Sequence, residues 1–191
     1  MIYWGSVMNL ANKITIARIL TVPVFVLFLL SDSPYSNYLA AIIFIIAAST
    51  DSMDGYIARK RNQVTNLGKF IDPLADKLLI TSALVGLVEM GKISSVVAII
   101  IISREFIITG FRTVAVSEGM VIAASWWGKI KTILQIIAIV SVLLNNFPFN
   151  LVGFPFDMVA IYVAVIITVL SGVDYIYKNR NLFKEMKGDR L

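Results

Sequence analysis

Apolar residues run along this chain in stretches of membrane length, broken at short intervals by polar and turn-forming residues. A bilayer core about 30 Å thick is crossed by about 17 to 25 mostly apolar helical residues. Six stretches meet or approach that need, roughly residues 14–30, 38–57, 74–90, 93–109, 130–144 and 158–177. The breaks carry turn chemistry: residues 31–37, Gly91-Lys92, and residues 145–157 with Pro148 and Pro155. The pattern predicts an all-α integral membrane protein, six transmembrane helices in one compact bundle, with residues 1–191 forming a single catalytic domain and no linker or repeat inside it.

Composition supports that picture. AVILMFWYC residues make up 58% of the chain and charged residues only 15%, against about 45 to 50% apolar in soluble proteins. Seventeen Lys and Arg against 12 Asp and Glu give +5. In a soluble chain that excess would invite a nucleic-acid partner; here the basic residues alternate with membrane-length runs, and none is expected. Basic residues of short loops stay on the cytoplasmic side. Lys13, Arg18, Arg59, Lys60, Arg61, Lys69, Lys77, Arg104, Arg112, Lys129, Lys131 and the tail from Lys178 to Arg190 fall on one side, and only Lys92 on the other. Both termini and the 51–77 connection are therefore expected in the cytoplasm of a multi-pass bacterial inner (plasma) membrane protein, with Asp32, Lys92 and Asn150 outside. The first span lacks a small-residue cleavage site and carries Arg18, so it is expected to be retained, with Met8 as an alternative start.

Cysteine and histidine are both absent. That excludes disulfides, thiolate or imidazole metal sites, Ser-His-Asp triads and Cys nucleophiles, leaving Asp, Glu, Lys or Tyr as a general base. The informative segment is DSMDGYIARKRNQVTNLGKFIDPLADK, residues 51–77. Asp51 and Asp54 are three apart and share a helix face; Asp72 and Asp76, four apart, share another. Carboxylates in membrane helices cost free energy and repel one another, so a cation must compensate. Oxygen donors alone suit Mg²⁺ or Mn²⁺, which also bind phosphates. Gly55 and Gly68 remove side chains where a bulky ligand would approach the backbone, and Arg59 is spaced to hold a phosphate or a base. Bland readings stand beside these: Asp72 before Pro73 reads as an N-cap that starts span three, and Arg59 to Arg61 double as an orientation signal. Gly86, Gly91 and Gly110 read as packing or turn residues.

The segment resembles the motif of the CDP-alcohol phosphotransferases, D-x2-D-G-x2-A-R-x8-G-x3-D-x3-D, with every fixed position present at Asp51, Asp54, Gly55, Ala58, Arg59, Gly68, Asp72 and Asp76. The resemblance implies a six-helix bundle that forms a homodimer, with a polar cavity open to the cytoplasm. It implies that Asp51, Asp54 and Asp72 hold divalent ions, with Asp76 bordering or sharing the metal site and serving as general base. Gly55, Ala58, Arg59 and Gly68 would line the CDP-lipid site. Residues 9–18, NLANKITIAR, look like the family's nucleotide-side segment, with Ala11 in place of its usual proline and Asn12 and Thr15 as weaker nucleotide contacts.

The acceptor segments are residues 102–119 and 127–132. Arg104, Arg112, Lys129 and Lys131 would form a phosphate clamp for an anionic acceptor, or would anchor helix ends at headgroup level. The R-E-F-x2-T-G-x-R and G-K-x-K-T elements resemble the bacterial branch of the family that takes sn-glycerol 3-phosphate, and the similarity extends from Met8 to about Lys184. It implies phosphatidyl transfer from CDP-diacylglycerol to sn-glycerol 3-phosphate, giving phosphatidylglycerophosphate and CMP among membrane lipids. Glu105, seven residues before Arg112, is expected to orient it by a salt bridge. The alternatives are another acceptor (inositol phosphate, serine or phosphatidylglycerol) or a cation transporter, which also displays intramembrane carboxylates.

Overall fold

The apolar stretches become six helices in the computed structural model: α1 (Leu10–Leu29), α2 (Ser36–Lys60), α3 (Asn66–Glu89), α4 (Ser95–Ser117), α5 (Trp126–Leu143) and α6 (Phe156–Lys178). The structure describes residues 10–60, 66–117 and 126–180, with side chains at 14–50, 74, 75, 77–115 and 126–180. No strand occurs among the described residues. At 18 to 25 residues, the helices are about 27 to 38 Å long by a rise of about 1.5 Å per residue.

The expected helices are all present, but among the described residues only α5 and α6 are long and apolar enough throughout to cross a membrane. The apolar parts of α1 and α2 stop at Ile14–Leu29 and Ser36–Thr50, and charged residues interrupt α3 and α4. One expected helix start is corrected. Asp72-Pro73 does not begin the third helix, since α3 starts at Asn66 and continues through both residues. Leu67, Phe70, Ile71, Leu74 and Leu78 keep one apolar face across the proline. Proline removes one backbone hydrogen bond, a loss that helices packed inside membrane proteins tolerate. Pro23 sits inside α1 in the same way.

Helix α1 packs on α2 and α3, α5 on α6 and α2, and α4 on α6 and α3. The core is made by Phe25, Leu29, Phe44, Leu79, Leu84, Leu87, Ile101, Ile139 and Leu143, all fully buried, with the Phe25 and Phe44 rings 5.7 Å apart. Leu27, Ile46, Ile99, Ile107, Tyr162 and Val173 turn outward, the reverse of a soluble bundle. Chain order places the loops at residues 30–35, 90–94 and 144–155 at one end; the aspartate-bearing ends of α2 and α3 lie at the other.

Of the three glycines named above, two have the expected structural roles. Gly91 makes a turn at φ +66°, and a Cβ on Gly86 would stand 2.3 Å from Leu29 Cδ2. Gly110 differs: nothing among the described residues lies within 4 Å of its Cβ position. Gly86→Ala is expected to lower stability by about 1 to 3 kcal/mol through overpacking, because Leu29 is fully buried. A thermal melt in detergent checks this, and Leu29→Ala in the same chain should relieve part of the strain.

Candidate active site

The aspartate motif straddles the α2–α3 connection. Asp51, Asp54, Gly55, Ala58 and Arg59 occupy the last turns of α2, and Gly68, Asp72 and Asp76 the first half of α3. Their side chains, like that of Asn12 in α1, lie outside the described residues. Thr15 and Arg18 are buried three apart on α1. Among the described residues no group of three Asp or Glu could hold a metal ion. The motif aspartates do fit one, with each pair about one helical turn apart and oxygen donors only, the set a hard divalent cation takes.

A basic cluster adjoins the motif through Lys77, the residue after Asp76 on α3, which lies within Coulombic range of Glu105 and Lys131. Lys131 on α5 donates to Glu105 Oε1, and Arg104 Nη1 reaches the same oxygen at 3.4 Å. The Glu105 and Lys131 side chains keep only 13% and 6% of their exposure. Both charges are therefore withdrawn from water, and each requires the other. Among the described residues Glu105 is thus met by two cations, Arg104 and Lys131, with Lys77 in Coulombic range and Arg112 in range of Arg104.

Helix α6 supports the two arginines. Arg104 Nη2 donates to Ser171 Oγ at 3.1 Å, Ser171 Oγ donates to the Thr168 carbonyl at 3.0 Å, and Gln135 Nε2 donates to Thr168 Oγ1 at 3.0 Å. Arg104 crosses Gly172 so closely that a Cβ there would lie 3.2 Å from Arg104 Cγ. Arg104 Nε is buried with no hydrogen-bond partner among the described residues; such an orphaned donor is costly unless an acceptor reaches it. Arg112 Nε donates to Tyr175 Oη at 3.2 Å, its guanidinium 5.3 Å from the ring centre. Phe111 braces that ring edge-on at 5.9 Å.

Of the four basic residues expected to act together, the structure brings three near one another. Arg104, Arg112 and Lys131 converge, whereas Lys129 is exposed on α5 with its ammonium 5.7 Å from the Trp126 ring centre. The expected Glu105–Arg112 salt bridge is corrected: Glu105 pairs with Arg104 and Lys131, and Arg112 with Tyr175. Seven residues separate two side chains by about 10 Å along a helix, while Lys131 approaches from the neighbouring helix. Sequence reasoning overlooked Thr168, Ser171, Gly172 and Tyr175. Their signal was present as polar and small residues at i, i+3, i+4 and i+7 inside an otherwise apolar span.

Known proteins share this arrangement of sequence. The family model for CDP-alcohol phosphatidyltransferases matches residues 8–170. A CDP-diacylglycerol--glycerol-3-phosphate 3-phosphatidyltransferase of Bacillus subtilis is 49% identical, covering 92% of this chain and 97% of that protein. A Rickettsia bellii protein of the same name is 35% identical over 87% of this chain and 93% of its own length. A probable phosphatidylglycerophosphate synthase of Mycobacterium tuberculosis is 39% identical over 90% of this chain and 82% of its own. With its motif intact and the match running through five helices and into the sixth, the chain belongs to the CDP-alcohol phosphatidyltransferase family.

Proposed function

We propose that this protein transfers the phosphatidyl group of CDP-diacylglycerol to sn-glycerol 3-phosphate, releasing CMP and forming phosphatidylglycerophosphate. The observation that carries the reading is the adjacency of two sites. On α3 the last motif aspartate, Asp76, is followed directly by Lys77, a member of the basic cluster with Arg104 and Lys131. Donor chemistry and an anion site therefore meet on one helix. Among the described residues Arg104 and Lys131 outnumber Glu105, a basic excess that suits a phosphate, and Arg104 Nε, which has no hydrogen-bond partner among them, is a donor for it. Serine and phosphatidylglycerol, which carry no phosphate dianion, would leave that charge uncompensated; inositol phosphate carries one and is separated by the test below.

In this reading Asp51, Asp54 and Asp72 hold Mg²⁺ or Mn²⁺, with Asp76 at its border, and Gly55, Ala58, Arg59 and Gly68 line the CDP-lipid site with Asn12 and Thr15 nearby. The metal, when bound, would neutralise diphosphate charge. The chain's own residues do the rest. Arg104 and Lys131, with Arg112 and Lys129 at the rim, hold the acceptor phosphate, and Asp76 takes the proton of the attacking hydroxyl. A bond forms from that oxygen to the lipid-side phosphorus, the bond to the CMP oxygen breaks, and CMP leaves. Six spans, cytoplasmic placement of the aspartate end in the inner membrane, and a homodimer complete the proposal; the one-sided basic residues support the orientation.

The test is Mg²⁺-dependent CMP release from CDP-diacylglycerol by the purified protein, with glycerol 3-phosphate, inositol phosphate, serine and phosphatidylglycerol offered separately. Release with glycerol 3-phosphate alone is expected; release with another acceptor alone overturns the acceptor assignment. A variant tests the clamp. Gly172→Ala is expected to raise the KM for glycerol 3-phosphate several-fold by pushing on Arg104, with the KM for CDP-diacylglycerol unchanged. Its melting temperature should not fall, since alanine is favoured over glycine in a helix by about 1 kcal/mol. An unchanged acceptor KM would mean that Arg104 does not bind the acceptor.

A further inference from the structure

Between α5 and α6 the chain reads NNFPFNLVGFPF, residues 145–156, with no charged side chain. Turn-like spacing alone suggests a loop in water. The structure instead has a compact cap built around a 3-10 turn at Phe149–Val152. Leu151 and Val152 are each 76% exposed, and Phe147, Phe149 and Phe154 also turn outward.

Asn146 and several backbone amides bond within the segment, while Asn145 and Asn150 are exposed. Asn146 Nδ2 donates to the Phe154 carbonyl at 2.7 Å, and Asn146 Oδ1 accepts from the Asp157 amide at 3.1 Å. The Asn146 amide donates to Ser141 O at 2.9 Å, the Asn150 amide to Asn146 O at 2.9 Å, and the Phe154 amide to Phe149 O at 3.2 Å. Asn145, Asn146 and Gly153 adopt positive φ to close these bonds, a conformation Asn and Gly accept at low cost. Phe149 stacks on Phe156 at 4.3 Å, tying the cap to α6. Charge appears at its base, where Lys92 Nζ donates to Asn145 Oδ1 at 2.7 Å and Asp157 stands in the first turn of α6.

A segment that makes many of its backbone hydrogen bonds within itself, and whose exposed side chains are apolar apart from Asn145 and Asn150, suits the boundary between lipid and water, where a few uncharged polar groups are tolerated. The cap also continues the outward apolar surface of α6, Met158, Val159, Tyr162 and Val163, one of the two helices that are apolar enough to cross a membrane. We infer that the 147–154 cap inserts Leu151, Val152 and the neighbouring phenylalanines into the lipid interface on the side of the membrane opposite the aspartate motif. There it anchors the α5–α6 hairpin at a fixed depth. The occupant is lipid because residues 147–154 carry no charge and their exposed apolar side chains lie next to the outward apolar surface of α6.

The inference rests on membrane embedding through α6 and is independent of the acceptor. The chain contains no cysteine, so single spin labels can be placed at Leu151→Cys, Val152→Cys, Ser33→Cys and Val163→Cys in the full-length protein, reconstituted in phosphatidylglycerol-phosphatidylcholine vesicles. All four positions are exposed, and substitution there disturbs no packing. Collisions with oxygen and with a water-soluble nickel chelate then report depth. Positions 151 and 152 are expected to match 163, with loss of nickel broadening, while 33 in the polar α1–α2 loop retains it. Nickel broadening at both 151 and 152 equal to that at 33, with 163 protected, overturns the cap insertion alone; broadening at 163 overturns the membrane reading itself. Dipolar broadening between labels at 151, showing that a second copy covers the cap, also overturns it.

Discussion

Asp76→Asn is expected to lower the rate of CMP release by about 10² to 10⁴-fold, the usual worth of a positioned general base, with the protein still folded. The isosteric amide keeps the shape of the side chain and loses its capacity to accept a proton. Asp76 is the member of the motif that adjoins Lys77, and so the basic cluster, along α3. A hydroxyl whose phosphate is held by Arg104 and Lys131 would be presented on that side. Two further readings separate the roles of this residue. If Asp76 acts only as base, the Mg²⁺ concentration for half-maximal residual activity stays at the wild-type value; if it also shares the metal, that concentration rises. Asp54→Asn, placed on the metal side, should shift the Mg²⁺ dependence strongly. A wild-type turnover number for Asp76→Asn at saturating Mg²⁺ would remove Asp76 as the base and leave the proton to another group.

The second large effect concerns stability. Glu105→Gln leaves Lys77, Arg104 and Lys131 around a neutral side chain in a site where Lys131 is almost fully enclosed. Removing one partner of a buried ion pair typically costs 3 to 5 kcal/mol, because the other charge remains buried and uncompensated. In a chain of this size that corresponds to a fall of roughly 10 °C in melting temperature, read at a fixed scan rate in detergent. Glu105→Leu combined with Lys131→Met removes both charges and should recover much of the loss. Glycerol 3-phosphate should protect Glu105→Gln more than the wild type, since its phosphate supplies the missing anion. A wild-type melting temperature for Glu105→Gln would show that the pair contributes nothing. Equal protection of both proteins would separate the acceptor site from this cluster.

Much of the fold was legible because a membrane helix is written in local terms. The six apolar runs located α1 to α6 to within a few residues at most ends, since periodic apolarity and turn residues act along the chain. Two ends differ by eight residues: α4 runs on to Ser117, and α3 starts early. Asp72-Pro73 satisfied a rule for helix starts, yet α3 begins at Asn66; the continuing face of Leu67, Phe70, Ile71 and Leu74 outweighed the single bond lost at Pro73. For the candidate site, the carboxylate motif was legible because its spacing is a helix-face spacing.

What the sequence by itself determined was therefore local: helices, the paired aspartates and their neighbouring glycines, the one-sided basic residues, and the exclusion of any His or Cys chemistry. Those features depend on residues within one or two turns of each other. Only the tertiary structure decided that Glu105 meets Lys131 across helices rather than Arg112 along its own, and that Gly172 and Ser171 carry Arg104. The same holds for the residue 145–156 segment, where Asn146 bonds inward while Leu151 and Val152 turn out. In each case the partners are separated in sequence or have opposing choices of direction. The outcome is set by how helices pack and by where buried charge and backbone find a partner, which no single stretch of sequence contains.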